Sequence, residues 1–351
     1  MIVSDFSCTN QLAAVLGLLQ TEMVWRISSC LNIFTWRYAP MSESLKPPGR
    51  IAVLGVFVAD AVYRASRIPQ IGETLLGNSF ALGPGGKGSN QSVAAARAGA
   101  DVTFISRLGK DPFAEMALNL YQGAGVKTHI EQLDDSYTGS AFIFVDDNSG
   151  DNAIIIAPGA ATTITAEFVD TAKQAITEAD VFITQLEQPI AAATHALSVA
   201  RNAGVTTILN TAPAESIADS VFELCDYVTP NEIEAESYTG VAVKSVDDAR
   251  RAADALLQKG VGTAIITLGE AGVLIHNSEI SEQVPAFKVG KVVDTTGAGD
   301  AFNAGFATAL SCGANPVESA RFGCALAGLS VTRHGTSNSM PMREEILKIL
   351  R

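Results

Sequence analysis

Short apolar runs alternate along this chain with longer amphipathic stretches, and this alternation constrains the fold more than any other feature. The runs are rich in β-branched residues and too short to be helices. Strands that are apolar on both faces belong in a parallel sheet covered by helices on both sides. The sequence therefore predicts a doubly wound α/β fold with a mainly parallel sheet. The predicted strands begin at Ile51, Val102, Asp180, Thr206, Tyr227 and Thr263, and helices are predicted over 89–98, 166–178, 191–203, 245–259 and 301–311.

Two segments, at about 60–80 and 137–156, break this alternation. The second has apolar residues on either side of the turn-forming sequence Asp147-Asn-Ser-Gly-Asp151, a pattern typical of a β-hairpin. We expect the two segments to form a small β-sheet that stands off the main sheet. Such a sheet would serve as a lid that excludes water from a bound substrate.

Residues 1–49 differ in composition from the rest of the chain. Both tryptophans, Trp25 and Trp36, lie there, and the segment ends in the breaker-rich sequence Lys46-Pro-Pro-Gly-Arg50. We expect an N-terminal extension that is disordered or, with Met41 as the start of the protein, not translated. Residues 50–351 suffice for one α/β domain with elaborations.

Charge and hydropathy exclude several kinds of partner. A formal net charge of −13 would repel a nucleic-acid backbone, and no cluster of Lys and Arg with interleaved aromatics is present. No run of about 18 or more apolar residues occurs, so we expect no membrane-spanning segment. The five cysteines are scattered without metal-binding spacing, which fits reduced thiols in a cytoplasmic protein.

The strongest chemical signal is a glycine-rich turn, Asp294-Thr-Thr-Gly-Ala-Gly-Asp300. We expect it to follow a strand that ends near Val293 and to open a helix. Its small residues (Gly297, Ala298 and Gly299) let backbone N–H groups converge, and the helix N-terminus adds about half a positive charge. The turn is therefore suited to a transferred phosphoryl group, with Asp300 placed to accept the proton of an attacking hydroxyl. The alternative is an aspartate-capped helix after an ordinary glycine turn.

Two other phosphate-binding motifs do not fit this sequence. No G-x-G-x-x-G follows the first predicted strand. The segment Gly83-Pro-Gly-Gly-Lys87-Gly-Ser lacks the glycine that a P-loop carries five residues before its Gly-Lys pair. Rossmann dehydrogenases and P-loop enzymes are thereby excluded.

The glycine turn and the segment that runs from Gly83 through Asn90 occur in an order that resembles the ribokinase-like carbohydrate kinases, over essentially all of residues 50–351. The resemblance implies an α/β kinase domain with a β-sheet lid, using ATP to phosphorylate D-ribose at O5. Asp300 would be the general base and residues 297–299 the anion hole. Further matching segments, closest to the ribokinase branch of the family, begin at Pro69, Gln185, Asn210 and Thr229.

The same resemblance implies which residues bind the sugar. Each has a structural alternative, such as a surface charge for the lysine or a helix start for the asparagine. Polar side chains paired with hydroxyls are how a site rejects analogues that lack them. The implied sugar-binding residues are Asp60, Gly86, Lys87, Asn90, Glu187 and Asp300.

Nucleotide and metal positions are also implied by the resemblance. Glu234 would organise Mg²⁺ through water, although an Asn followed three residues later by Glu is also a good helix cap. K⁺ would bind beside the anion turn, in part through backbone carbonyls. A homodimer formed through the lid strands is common among the relatives. The implied nucleotide-binding residues are Asn231, Thr267, Gly269, Gly272 and Gly299, and the implied K⁺ positions are Asp294, Thr296, Ser330, Arg333, Gly335 and Ser339.

The chain departs from the family pattern at two places. Val58 stands where the family has a sugar-binding Asn, and Cys324 stands where relatives carry a His near the adenine. Since valine cannot bond to a hydroxyl, 2-deoxyribose, another sugar or a nucleoside remains an alternative substrate. A sugar sensor without catalysis is a further alternative, against which the intact Asp300 and anion turn argue.

Overall fold

The computed structural model describes residues 48–351. Except for Pro48 and Gly49, the predictions for the N-terminal extension, including Met41 as the start, lie outside these residues. Within the described part, none of the helices has the length and apolar character needed to cross a membrane.

The strands form two separate sheets, a large one that carries the core and a small one. In chain order the strands are β1 (Arg50–Leu54), β2 (Val58–Ala65), β3 (Ser79–Gly85), β4 (Asp101–Gly109), β5 (Lys127–Leu133), β6 (Thr138–Asp146), β7 (Asn152–Gly159), β8 (Val181–Thr184), β9 (Thr206–Leu209), β10 (Tyr227–Val228), β11 (Thr263–Thr267), β12 (Val273–His276) and β13 (Ser281–Val284).

The large sheet has the order β13-β12-β11-β10-β9-β8-β1-β4-β5. Its strands are parallel from β11 to β5, and β12 and β13 add an antiparallel edge. Residues Ile51–Leu54 at its centre are at most 2% exposed, as expected for a strand covered on both faces. The prediction of a doubly wound, mainly parallel sheet is confirmed.

Helices connect the strands and supply the rest of the core. They are α1 (Lys87–Arg97), α2 (Pro112–Ala124), α3 (Ala166–Thr171), α4 (Lys173–Thr177), α5 (Ile190–Asn202), α6 (Asp219–Phe222), α7 (Glu232–Thr239), α8 (Val246–Gln258), α9 (Ala298–Ser311), α10 (Pro316–Ser330) and α11 (Arg343–Leu350). Short 3₁₀ turns lie at Ala160–Thr163, Gly269–Ala271 and Ser337–Ser339.

The small sheet has the order β3-β2-β6-β7. The hairpin expected around residues 147–151 is present as β6 and β7, which pair antiparallel. Strand β2 pairs antiparallel with β3 and parallel with β6, which joins the two segments that were expected to form one sheet.

Two details of the predicted secondary structure are wrong. The helix expected over 166–178 is divided at Ala172 into α3 and α4. No strand ends near Val293, because residues 285–297 have no regular secondary structure. The chain reaches the glycine turn as a loop whose Val293 and Asp294 N–H groups donate to the carbonyl of Val331.

Candidate active site

The glycine turn opens helix α9 with its first N–H groups available. Gly297 has φ 78°, in the left-handed region that favours glycine, and this conformation starts the helix abruptly. The Ala298 N–H donates to the carbonyl of Thr295. The N–H groups of Gly299 and Asp300 have no acceptor among residues 48–351. This end of the helix is therefore suited to an anion.

Asp300 lies in the first turn of α9 and is only 6% exposed. Its Oδ2 accepts a hydrogen bond from Asn90 Nδ2 at 2.9 Å, and its Oδ1 accepts one from Gln91 Nε2 at 3.0 Å. Burial raises the pKa of Asp300, and the charge of Lys87 and the two amides oppose that rise only in part. The result is a fixed, buried carboxylate with the raised basicity that suits a general base.

Lys87 starts helix α1 directly after Gly86, whose φ is 87°. A Cβ at Gly86 would collide with the carbonyl oxygen of Val56, so this close turn requires glycine. The Lys87 N–H donates to Glu187 Oε2 at 2.8 Å. Burial acts to lower the pKa of Lys87, but the charges of Asp300, Glu187 and Glu234 outweigh burial and raise it. Lys87 therefore stays an ammonium inside the site.

Two further carboxylates complete this part of the site. Burial raises the pKa of Asp60 to about 6 and that of Glu187 to about 7. The Asp60 side chain lies against the backbone of Gly85, where a Cβ would collide with it. It has no hydrogen-bond partner among the described residues, so it presents free acceptors to a hydroxylated ligand.

The six residues that the family resemblance assigned to the sugar thus lie in one region of the structure. Strand β2 supplies Asp60, the start of α1 supplies Gly86, Lys87 and Asn90, the segment after β8 supplies Glu187, and α9 supplies Asp300. Glu187 follows the carboxyl end of β8, which is a parallel strand of the large sheet. It therefore lies at the edge of the sheet where α/β proteins bind ligands.

A cavity of about 420 Å³ lies beside the glycine turn and reaches Ala298 and Gly299. Its other walls include Thr267, Gly269 and Gly272, three of the positions assigned to the nucleotide. Gly272 has φ 93°, and a Cβ there would collide with the carbonyl oxygen of Val284. The remaining lining is largely apolar and includes Val273, Phe287, Val289, Phe302 and Cys324. Burial raises the pKa of Cys324 to about 12, so its thiol is un-ionised.

A second cavity, of about 460 Å³, lies along the edge strand β5 and is lined by Arg107, His129 and Phe168. It contains none of the predicted site residues. The Arg107 guanidinium is already paired with Glu131 and stacked on Phe168.

Asn231 and Glu234 form a capping box at the start of α7. Asn231 Oδ1 accepts from the Glu234 N–H at 2.8 Å, and Glu234 Oε2 accepts from the Asn231 N–H at 3.1 Å and from Thr211 Oγ1 at 3.2 Å. The helix-cap alternative is therefore present in the structure. These contacts fix the orientation of the Glu234 carboxylate. Its charge helps to raise the pKa of Lys87, so Glu234 lies at the edge of the site.

The residues assigned to K⁺ lie in the glycine turn and in the segment from Ser330, the end of α10, to Ser339, and Asp294 joins these two parts. Its Oδ1 accepts from the Thr296 N–H at 2.9 Å and its Oδ2 from the Gly335 N–H at 3.0 Å. The Arg333 side chain points instead to Glu345. The hydroxyls of Ser330 and Ser339 donate to backbone carbonyls of Ala327 and Thr336. Within residues 48–351 there is no cluster of three or more His, Cys, Asp or Glu side chains at metal-binding spacing.

Several buried polar residues of the site were not found from the sequence. Gln91 and Asn210 contact each other, and Ser337 donates to Asn90 Oδ1 at 2.8 Å. Gln91 and Asn210 lay inside matching segments but carried no separate signal. Helix α1 buries four consecutive polar residues, Ser89, Asn90, Gln91 and Ser92. A polar run where a buried helix should have apolar residues was the signal in the sequence that could have identified them.

Comparison with known proteins agrees with this geometry. A family model described as pfkB family carbohydrate kinase matches residues 49–343. The ribokinase of Haemophilus influenzae is 40% identical over 301 residues, which covers 86% of this chain and 98% of that protein. The deoxyribokinase of Salmonella typhi is 35% identical, with 86% and 98% covered. The structure of Arabidopsis thaliana ribokinase complexed with ribose and ATP superposes with a TM-score of 0.83 at 29% identity, with 87% and 99% covered.

Proposed function

This chain belongs to the pfkB family of carbohydrate kinases, and we propose that it transfers the terminal phosphoryl group of ATP to O5 of D-ribose. One observation carries the proposal. The Asp300 carboxylate, held by Asn90 and Gln91 and facing the Lys87 ammonium, lies at the N-terminus of a helix whose N–H groups are exposed to the cavity beside the glycine turn.

In this proposal Asp300 accepts the proton of the sugar hydroxyl. The hydroxyl oxygen then bonds to the transferred phosphorus, and the bond between that phosphorus and the ADP oxygen breaks. The N–H groups at the start of α9 and the Lys87 ammonium stabilise the negative charge on the transferred oxygens. Asp60, Asn90 and Glu187 orient the sugar, because they surround Asp300 and Lys87. Asn90 donates to Asp300, Glu187 accepts from the Lys87 N–H, and Asp60 lies close enough to Glu187 to raise its pKa. The small sheet, which bears Asp60, would close over the sugar as a lid.

The residues present fit ATP. The apolar cavity suits an adenine, and the loop at Thr267, Gly269 and Gly272 allows close backbone approach, with Asn231 beside it. Mg²⁺ would neutralise phosphate charge, held through water near Glu234. K⁺ would bind at Asp294 and the neighbouring carbonyls. We also place the enzyme in the cytoplasm, since Cys225, Cys312 and Cys324 are buried free thiols.

A second substrate, 2-deoxyribose, is favoured by Val58. Valine 58 begins β2, and Asp60 follows two residues later on the same face of the strand. Val58 packs with Val56, Ala141 and Ala161 in a small apolar cluster. The sugar pocket therefore has an apolar wall beside Asp60, which suits a carbon that carries no hydroxyl.

We further propose a homodimer through the outer face of the small sheet. The strand register places Tyr63, Phe80, Leu82, Phe142 and Ile155 on one face, opposite Asp60. These side chains are between 38% and 69% exposed, and the rings of Tyr63, Phe80 and Phe142 are in contact. An apolar face of this kind, rimmed by polar residues, is typical of an interaction site. Sedimentation of the wild type against Phe142→Asp tests it, with a monomeric variant expected.

An ADP-release assay over ribose, 2-deoxyribose, fructose and adenosine, with and without K⁺, tests the reaction and the substrate. We expect turnover with ribose, and loss of at least 10²-fold in Asp300→Asn, since general bases contribute about 10² to 10⁴. Full turnover in that variant would refute the base. Sugar binding without any ADP release in the wild type would instead identify a sensor.

A further inference from the structure

Gln91 is wholly buried on helix α1 and lies directly behind Asp300. Its Nε2 carries two hydrogens, and both are used. One bonds to Asp300 Oδ1 at 3.0 Å and the other to Asn210 Oδ1 at 3.1 Å. Its Oε1 accepts from Gln185 Nε2 at 2.6 Å. The side chain therefore joins α1, α9 and the ends of β8 and β9 at the carboxyl edge of the sheet.

The orientation of the Gln91 amide follows from its partners. In the reverse orientation Oε1 would face the Asp300 carboxylate and the Asn210 carbonyl oxygen, which are both acceptors, and the amino group would face the donor of Gln185. Asn210 is itself oriented, because its Nδ2 donates to the carbonyl of Thr229 at 3.3 Å. This arrangement satisfies both polar atoms of Gln91, and among these amides it leaves Gln185 Oε1 as the buried oxygen without a partner in the described residues.

The other oxygen of Asp300 is held in a matching way. Asn90 Nδ2 donates to Asp300 Oδ2, and Ser337 Oγ in turn donates to Asn90 Oδ1. Each carboxylate oxygen thus accepts one amide hydrogen bond, which fixes the plane of the carboxylate. A carboxylate oxygen can accept more than one hydrogen bond, so each retains capacity for the hydroxyl of a substrate.

We propose that Gln91 is a positioning residue for the general base: its amide fixes the plane of the Asp300 carboxylate so that one oxygen points at the attacking hydroxyl. The inference rests on the proposed function, because it requires Asp300 to be that base. Gln91 does not line the described cavities, so its effect on catalysis is exerted through Asp300.

The charged groups around Asp300 predict how loss of this contact would be observed. Lys87 on α1 and Glu187 after β8 face Asp300, with Asp60 on β2 and Glu234 on α7 beyond them. Burial raises the pKa of Asp300, while Lys87, Asn90 and Gln91 oppose that rise. Without the Gln91 amide the pKa rises further, so a smaller fraction of the base is ionised at neutral pH.

The test compares Gln91→Met with Gln188→Met. Methionine has the length of glutamine but cannot donate. Gln188 is a matched control because it is buried, donates to Thr184 Oγ1 at 2.8 Å and to the backbone carbonyl of Gln185, and forms no hydrogen bond to Gln91 or Asp300. We measure kcat and KM for sugar and ATP from about pH 5 to about pH 9, roughly two units either side of neutrality, because a general base is tuned to work in this region.

For Gln91→Met we expect kcat at pH 7 to fall at least about tenfold, with both KM values within about threefold of wild type and the acid limb of the kcat profile displaced upward by about one unit. The deficit should shrink at high pH. Gln188→Met should keep the wild-type profile. A wild-type kcat and profile in Gln91→Met would overturn the inference, as would equal losses in both variants without displacement of the acid limb.

Gln91→Glu covers the case in which the methionine variant does not fold, since glutamate keeps the size and the acceptor for Gln185. A second carboxylate against Asp300 should displace the acid limb upward, and an unmoved limb would overturn the inference. Asp300→Asn separates the two levels of the argument. Activity in that variant would refute the proposed base, whereas an inactive Asp300→Asn beside an unaffected Gln91→Met would refute only the role of Gln91.

Discussion

Replacing Val58 by asparagine should change which pentose the enzyme prefers. Val58 is 8% exposed and shares its face of β2 with Asp60, so an amide at this position would point into the sugar pocket from an apolar cluster. We expect that amide to form a hydrogen bond with a hydroxyl that ribose carries and 2-deoxyribose lacks. An unsatisfied buried amide costs about 1–3 kcal/mol.

This free energy converts directly into a substrate ratio, because each 1.4 kcal/mol is about tenfold. The ratio of kcat/KM for ribose to kcat/KM for 2-deoxyribose should therefore rise between about 5-fold and 150-fold in Val58→Asn. Both constants are measured by ADP release under the same MgATP and K⁺ concentrations. Without sugar the same substitution should lower the free energy of unfolding, since the new amide lacks a partner.

Val58→Ala is the matched control, because it removes bulk from the same cluster without adding a polar group. It should change kcat/KM for both sugars by similar factors. If Val58→Asn and Val58→Ala gave the same ratio of the two sugars, residue 58 would not face the hydroxyl that distinguishes them. The apolar wall would then carry no information about the substrate.

Three further changes have defined outcomes. Asp60→Asn should stabilise the sugar-free protein at pH 8, by at most about 3 kcal/mol, and weaken sugar binding. The native pKa of Asp60, about 6, exceeds its unfolded value of 3.8, so the cost of burying the ionised carboxylate is absent below about pH 4 and complete above pH 6. Melting of the wild type and Asp60→Asn at pH 4 and pH 8 shows whether the gain in stability is confined to high pH. Gly272→Ala should raise KM for ATP and destabilise the fold more than Gly269→Ala, since a Cβ at Gly272 collides with backbone while the space around Gly269 is open; equal melting temperatures would contradict this. Asp294→Asn should reduce stimulation by K⁺, because it removes the charge that also joins the turn to Gly335, and undiminished stimulation would exclude Asp294 from the cation site.

Much of the fold follows from local patterns in the sequence. The apolar runs starting at Ile51, Val102 and Thr206 are strands of the large sheet, because burial on both faces favours apolar and β-branched side chains at most positions. The antiparallel edge was not predicted. Strands β12 and β13 are short and carry polar residues such as Gln283, and the partners of an edge strand are not encoded in its own periodicity.

The candidate site was predictable where a backbone conformation demands a particular residue. Gly297 and Gly86 have positive φ and start helices, so their chemistry is visible in the sequence as glycine before a helix. The network behind Asp300 was not visible. Gln91, Asn210 and Gln185 meet behind Asp300 only after α1, α9, β8 and β9 have assembled, and no pattern in one segment specifies a partner in another.

The charges of the site explain why a sugar, which is neutral, would be held and then released as a phosphate. Glu187, Glu234 and Asp300 share one ammonium, Lys87, and Asp60 adds a further negative charge near Glu187. Burial raises the pKa of all four carboxyl groups. The buried carboxylates have more acceptor atoms than the protein has donors for them. The hydroxyl groups of a sugar supply donors, so a polyhydroxylated ligand forms hydrogen bonds that these carboxylates otherwise lack. Once the phosphoryl group has moved to the sugar, the product carries negative charge beside the same carboxylates, and like charges repel strongly where solvent screening is weak. The same carboxylates, whose negative charge exceeds the positive charge around them, thus favour binding of the neutral sugar and release of the phosphorylated product.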